Sequence, residues 1–313
     1  MNSAKHDPKR STVNCYTFFD KVFPECGLLD YTEGMYFGDP TIPFETAQRN
    51  QIQYLLDEVG CSPGMRVLDV GCGNGNLLAM AQERGAQAIG ITISPEQVQL
   101  CRKRGLDARL LDYKDLDGSW AGRFDAVIAN GPIEHFVQPE DAVQGRTETI
   151  YRRMFEILHR AIDPRSTSRT LVNTTIHFVH PPNPADLLKH PRRFPRGSDS
   201  FHWAMLEQSF GGFYPAMGQL EACAPPHFRL DKVLDGTDDY FLTSEAWLDR
   251  VKAEFRRVRR LPRIVARSLP FAVRHPAQCA TMLICMLATQ SWNWQFRSPN
   301  PPARLLRQTW KYC

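Results

Sequence analysis

The segment Val67-Leu68-Asp69-Val70-Gly71-Cys72-Gly73-Asn74-Gly75 constrains this chain more than any other. A short apolar run predicts a strand over 66–70, and three glycines at alternate positions then predict a tight turn that opens a helix. Glycines let the backbone take conformations that a Cβ resists, and they let a ligand approach it closely. In an open α/β sheet, ligands bind at the carboxyl ends of the strands, at the topological switch point. Alone, the glycine pattern fits a dinucleotide site or a plain turn equally well.

The pattern that follows supports such a sheet. Strands are expected over 66–70, 86–93, 108–111, 124–129 and 170–178, with helices over 77–84, 95–104 and 146–162 between them. A further helix is expected over 43–59. Strands alternating with helices of this length imply a mostly parallel, doubly wound α/β sheet with right-handed crossovers. The chain of 313 residues suffices for one large domain with additions. The expected organisation is a helical lead-in over 1–60 that covers the cofactor, and a binding domain over 61–249. That domain carries a Pro- and Arg-rich insertion at about 180–225, which covers the substrate. A basic helical and aromatic tail follows over 250–313. The last strands are expected at 228–233 and 239–242, with a helix capped by Ser244 after them.

Composition excludes several classes. A hydrophobic fraction of 42% with 23% charged residues is that of an ordinary globular chain, and the net charge of +4 gives no nucleic-acid footprint. The nine cysteines are scattered without a CxxC pair, which predicts a reduced, cytoplasmic chain. The polar start, 1–10, has no apolar run behind it and predicts no secretory signal. The longest apolar stretch, 279–289, is too short to span a bilayer. His177, His180, His202 and His227 show no ligand spacing, so no metal site is expected.

Three companions narrow the ligand. Asp69 stands before the first glycine, Gly71, where a carboxylate can accept from an amino group. After the second strand, Thr92-Ile93-Ser94-Pro95-Glu96-Gln97 offers hydroxyls and an amide to a ribose. A dinucleotide enzyme would place an acid at the end of that strand, where Thr92 stands. Asp112-Tyr113 follows the third strand, where an acid can accept from an adenine amino group beside a stacking ring. Together they describe an adenosine with an amino-acid tail, that is, S-adenosylmethionine.

These residues resemble the cyclopropane-fatty-acid synthase family, which includes the mycolic acid cyclopropane synthases. The matching pieces are Tyr36-Phe37 with Ala47-Gln48, Pro63-Gly64 into the glycine motif, Gly90 to Gln97, and Asp112-Tyr113. Further on are Phe124-Asp125, Glu134-His135-Phe136, Phe210 to Pro215, Tyr240 and Trp247. The resemblance implies a class I methyltransferase fold and a cofactor site that includes Thr32, Tyr36, Asp69, Gly71, Gly73, Gly75, Thr92, Gln97, Asp112 and Tyr113. It implies methyl transfer to a cis alkene carbon, with a bound bicarbonate taking the proton as a ring closes. Of the four residues that hold this anion, the Glu falls on Glu134 and the Tyr on Tyr240. The Cys position falls on Gly34 and the His position near Asn173, and a His before the Tyr is replaced by Asp239.

Glu134 and His135 follow the fourth strand, at the rim where a substrate meets the methyl group. They serve there as general base or charge-steering groups, or cap a helix end. Tyr240 either hydrogen-bonds in the pocket or packs. Tyr36, Phe37, Phe136, Phe213 and Tyr214 are candidates to line a cationic reaction centre. Arg250, Lys252, Arg256, Arg257, Arg259, Arg260, Arg263 and Arg267 crowd one stretch, with Leu261, Ile264, Val265 and Leu269 interleaved. Such a segment is either a solvated helix face or a contact with an anionic membrane surface. Two functions follow: a C-methyltransferase acting on an unsaturated acyl chain, or a small-molecule N- or C-methyltransferase of the same family, which needs no bicarbonate.

Overall fold

The computed structural model describes residues 9–257, 259–297 and 299–313, so most of the polar start lies outside the described residues. The chain opens with α1 (Lys9–Val22) and α2 (Phe44–Glu58). It then alternates β1 (Arg66–Val70), α3 (Asn76–Glu83), β2 (Gln87–Thr92), α4 (Pro95–Lys103), β3 (Ala108–Leu110) and β4 (Ala126–Asn130). After β4 come α5 (Pro139–Val143), α6 (Thr147–Ala161) and β5 (Thr170–Phe178). The insertion holds α7 (Pro184–Leu187), α8 (Asp199–Phe210) and α9 (Gln219–Cys223). The chain closes with β6 (Phe228–Asp235), α10 (Thr237–Arg256), α11 (Leu261–Arg274), α12 (Pro276–Leu283), α13 (Ser291–Arg297) and β7 (Ala303–Tyr312).

Seven strands form one sheet in the order β3-β2-β1-β4-β5-β7-β6. The first five are parallel, and β7 runs antiparallel to both β5 and β6. Burial on both faces explains the apolar runs of the central strands. Val67, Ala126 and Ile128 face the core under α2 and α3, while Leu68, Val70, Val127 and Ala129 face the one under α6. Chain order reverses between β1 and β4, so the carboxyl ends of these strands open the crevice that holds the site.

Three local expectations are corrected. Residues 239–242 are not a strand but the first turns of α10. Ser244 does not cap that helix: it is buried within it and donates to the Phe241 carbonyl at 2.9 Å. The start is set by Asp235, whose Oδ1 accepts from the Thr237 amide at 2.8 Å. Residues 303–312, read as part of a helical or irregular end, form β7, wedged between two strands. A cap lies over the strand ends. In it α8 packs against α1, α12 and α13, and α10 packs against α13.

Candidate active site

The glycine turn is shaped by what stands beside it. Gly71 has φ +78°, and a Cβ there would lie 2.7 Å from Pro132 Cβ, so only glycine lets β1 and the loop after β4 meet. The Asp69 carboxylate, at the end of β1, takes no hydrogen bond from the described residues, and burial pushes it up to about 8. A buried carboxylate without a donor is matched by a cationic ligand. Thr92 donates to Gln97 Oε1 at 2.7 Å, which fixes the amide and leaves its NH2 group for a ligand. Asp112 caps the turn after β3, accepting from the Lys114 amide at 3.1 Å. Tyr113 stacks on Phe136 with ring centroids 4.0 Å apart.

One cavity is lined by Thr32, Asp69, Gly71, Gly73, Thr92, Gln97, Asp112 and Tyr113, and also by Glu134, His135 and Tyr240. Two expected cofactor residues are not brought to it. Tyr36 is buried against the start of α10, where its amide donates to Asp239 Oδ1 at 2.8 Å. Gly75 is a packing glycine: a Cβ there would lie 2.7 Å from both Cys101 Sγ and Leu106 Cδ1.

Glu134 is buried on the cavity wall. Its Oε1 accepts from the Ile176 amide at 3.0 Å, its Oε2 has no partner, and burial pushes the carboxyl up to about 8. Gly212 makes this close approach possible, since a Cβ there would collide with the Glu134 carbonyl oxygen. His135 is not a free base. Burial pushes it down to about 4, so it is neutral. Its Nδ1 lies 3.2 Å from the Gly211 carbonyl, which only accepts, so the proton is on Nδ1. Its Nε2 then accepts from the Tyr16 hydroxyl at 3.1 Å.

The departures from the anion-binding set have structural reasons. At Gly34 a Cβ would lie 2.7 Å from Tyr36 Cε2 and 2.8 Å from Ala47 Cβ, so a cysteine has no room. Side chains alternate along β5, so Asn173 points away from the cavity that Ile176 lines. It bonds Gln308 and the Trp310 indole instead. Asp239 pairs at 2.8 Å with Arg307 of β7, a fully buried guanidinium that also donates to Gln51 Oε1 at 2.6 Å and the Gly34 carbonyl at 3.0 Å.

Sequence reasoning missed part of the wall. Tyr16 and Phe19 of α1, Phe210 of α8, and Trp292 and Gln295 of α13 all line the cavity. The spacing of Tyr16, Phe19 and Phe23, one aromatic face of a helix, was the available signal. Nothing in the sequence joins α13 to α1. Among the described residues no His, Cys, Asp or Glu cluster suited to a metal ion occurs.

This sheet order, with an unpaired acid and an adenosine-shaped set of loops at the switch point, is the class I methyltransferase fold. The model of the mycolic acid cyclopropane synthetase family matches residues 19–267, and the chain belongs to that family. It is 29% identical over 216 residues to a cyclopropane-fatty-acyl-phospholipid synthase of Escherichia coli (strain K12), covering 67% of this chain and 48% of that one. The chain thus spans about half the length of this curated relative. A probable fatty acid methyltransferase of Pseudomonas putida is 39% identical over 109 residues, 32% of this chain and 27% of its own. Among solved structures, the cyclopropane synthase MmaA2 from Mycobacterium tuberculosis superposes with a TM-score of 0.68 at 17% identity, over 99% of both chains.

Proposed function

We propose that this chain transfers a methyl group from S-adenosylmethionine to a double-bond carbon of an unsaturated acyl chain. The observation that carries this reading is the Glu134 carboxylate, buried with one unpartnered oxygen on the wall of an aromatic-lined cavity that continues the cofactor loops. The cofactor supplies an electrophilic methyl on a sulfonium. Asp69 would hold its ammonium group, the Gln97 amide its ribose, and Asp112 its adenine amino group beside Tyr113, with Thr32, Gly71, Gly73 and Thr92 completing the wall. When the methyl carbon bonds to one alkene carbon, the other becomes cationic. As the sulfonium–methyl bond breaks, S-adenosylhomocysteine leaves, and Glu134 would take the proton that the cation loses, giving a cyclopropane ring or a methyl-branched chain that keeps a double bond. Tyr16, Tyr214 and Tyr240 would face the positive charge. His135, held by Tyr16 and Gly211, positions rather than titrates. Lipid mass spectrometry after expression in a host with unsaturated membranes tests the reading: a gain of one methylene per chain is expected, and unchanged acyl chains would reject it.

Bicarbonate has little place in this scheme, because Gly34 is closed to a side chain and Asn173 is turned away. Added bicarbonate should leave the rate nearly unchanged. Gly34→Cys should lower thermal stability by about 1–3 kcal/mol through overpacking and should gain no bicarbonate dependence. An unshifted melting curve with a newly bicarbonate-dependent rate would reject both statements.

The chain is also proposed to meet its substrate at an anionic membrane surface. No helix of the described residues is long and apolar enough to cross a membrane. On α11, however, Val265, Leu269 and Val273 are exposed at helical spacing, beside Arg263, Arg267 and Arg274. Arg263 and Arg267 pair with the buried Glu25 at 2.9 and 3.3 Å, which fastens this helix to the body. The protein should pellet with anionic vesicles at low salt and be released at high salt, and Leu269→Glu should weaken pelleting. Equal recovery with neutral and anionic vesicles would leave only the solvated face.

A further inference from the structure

The cavity wall carries two more unsatisfied groups. Trp247 Nε1, on α10, and Gln295 Oε1, on α13, are buried without a hydrogen-bond partner, and both residues line the cavity. Each residue is more than nine-tenths buried. Trp292 touches both: its ring lies 5.0 Å from that of Trp247, and its carbonyl accepts from Gln295 Nε2 at 3.0 Å. That bond takes one of the two amide N–H groups, the amide also interacts with the Tyr214 hydroxyl, and Oε1 is left without a partner. The Trp247 ring is held by Phe23 at 6.2 Å and Tyr240 at 6.3 Å, so its N–H cannot turn to another partner without losing these contacts.

A buried N–H donor and a buried carbonyl acceptor without protein partners are costly unless a ligand answers both. A bare alkene answers neither. An ammonium has no lone pair for the indole, and a ketone has no proton for the amide. A hydroxyl does both, accepting from Trp247 Nε1 and donating to Gln295 Oε1. We propose that Trp247 and Gln295 form a hydroxyl-recognition subsite, so that the methyl acceptor carries an alcohol or phenol group. The inference rests on the methyltransferase reading of this cavity and narrows its substrate class. The hydroxyl belongs either to a hydroxylated acyl chain or to a phenolic small molecule, and the shared chemistry is the same.

Matched probes test it. Ricinoleate and oleate share a chain length and a cis double bond and differ by one hydroxyl. Tetrahydroisoquinoline and its phenolic derivative differ in the same way. Binding of each is measured by tryptophan fluorescence on the full chain saturated with S-adenosylhomocysteine. In at least one pair the hydroxylated member should bind about tenfold more tightly or better. Gln295→Leu, and Trp247→Phe, which keeps an aromatic ring and removes the donor, should each bring that ratio close to one. Preference for ricinoleate assigns the acyl source, and preference for the phenol assigns the small molecule. A ratio near one for both pairs in the unmodified protein overturns the subsite, as does a ratio that survives in a folded Gln295→Leu variant. Calorimetry with S-adenosylhomocysteine is read separately. Failure to bind it would reject the methyltransferase reading itself, whereas binding without hydroxyl preference would reject only the subsite.

Discussion

Asp69→Asn is expected to lower S-adenosylmethionine affinity by about a hundredfold or more, with the fold intact by circular dichroism. The carboxylate is buried, takes no hydrogen bond from the described residues, and sits at the carboxyl end of β1 beside the glycine turn. An asparagine keeps its shape and removes its charge, so the ammonium of the cofactor loses its counter-ion in a dry site. The same geometry predicts a pH dependence. Burial pushes this carboxyl up to about 8, so at lower pH the ligand-free protein holds it protonated. A cationic ligand favours the ionised form, and binding must then expel a proton. Affinity should therefore rise as pH increases from about 6 toward 8. Calorimetry in buffers of different ionisation enthalpy should show proton release below 8. The asparagine variant should lose both the slope and the released proton. Unchanged affinity in that variant would remove Asp69 from the cofactor site.

Glu134→Gln is expected to reduce turnover by about 10²- to 10⁴-fold while cofactor affinity stays nearly constant. The amide is isosteric and its oxygen can still accept from the Ile176 amide, so the turn after β4 should keep its geometry. What it loses is the unpartnered oxygen that faces the cavity. In the ligand-free protein burial pushes the acid up to about 8, and the sulfonium of the bound cofactor favours ionisation. Proton acceptance needs the ionised form. Turnover should therefore fall as pH drops below a pKa at or under about 8, and this limb should vanish in the residual activity of Glu134→Gln. A fully active variant would exclude Glu134 from the chemistry. The next candidate would then be Tyr240, since the Tyr16 hydroxyl already occupies His135 Nε2.

Much of this architecture is local in origin. The run at 66–70, the glycines at 71, 73 and 75, and the loop from Thr92 to Gln97 are consecutive residues whose propensities specify a strand, a turn and a helix start. A parallel sheet needs strands buried on both faces, and the apolar runs at 66–70 and 126–130 could only be such strands. The sequence by itself therefore determined the doubly wound sheet, the switch point and most of the loop residues that line the cavity at the strand ends. It could not distinguish a glycine that opens the turn from one that packs a helix. Gly75 is of the second kind because of Cys101 and Leu106, which are distant in the chain.

The helical wall of the cavity was decided by tertiary structure alone. Phe19, Phe210, Trp292 and Gln295 come from three helices that no short-range pattern links, and only their packing over the strand ends makes them one wall. The last strand, 303–312, reads as an ordinary polar and aromatic tail until it is placed between β5 and β6, where Arg307 finds Asp239, Gln51 and the Gly34 carbonyl. A buried guanidinium is tolerated only where every donor is met, and those partners lie 68 to 273 positions away. Propensity and spacing report on neighbours in the chain, whereas this wall and the buried Arg307 network are built from rings and charges that become neighbours only in the folded protein.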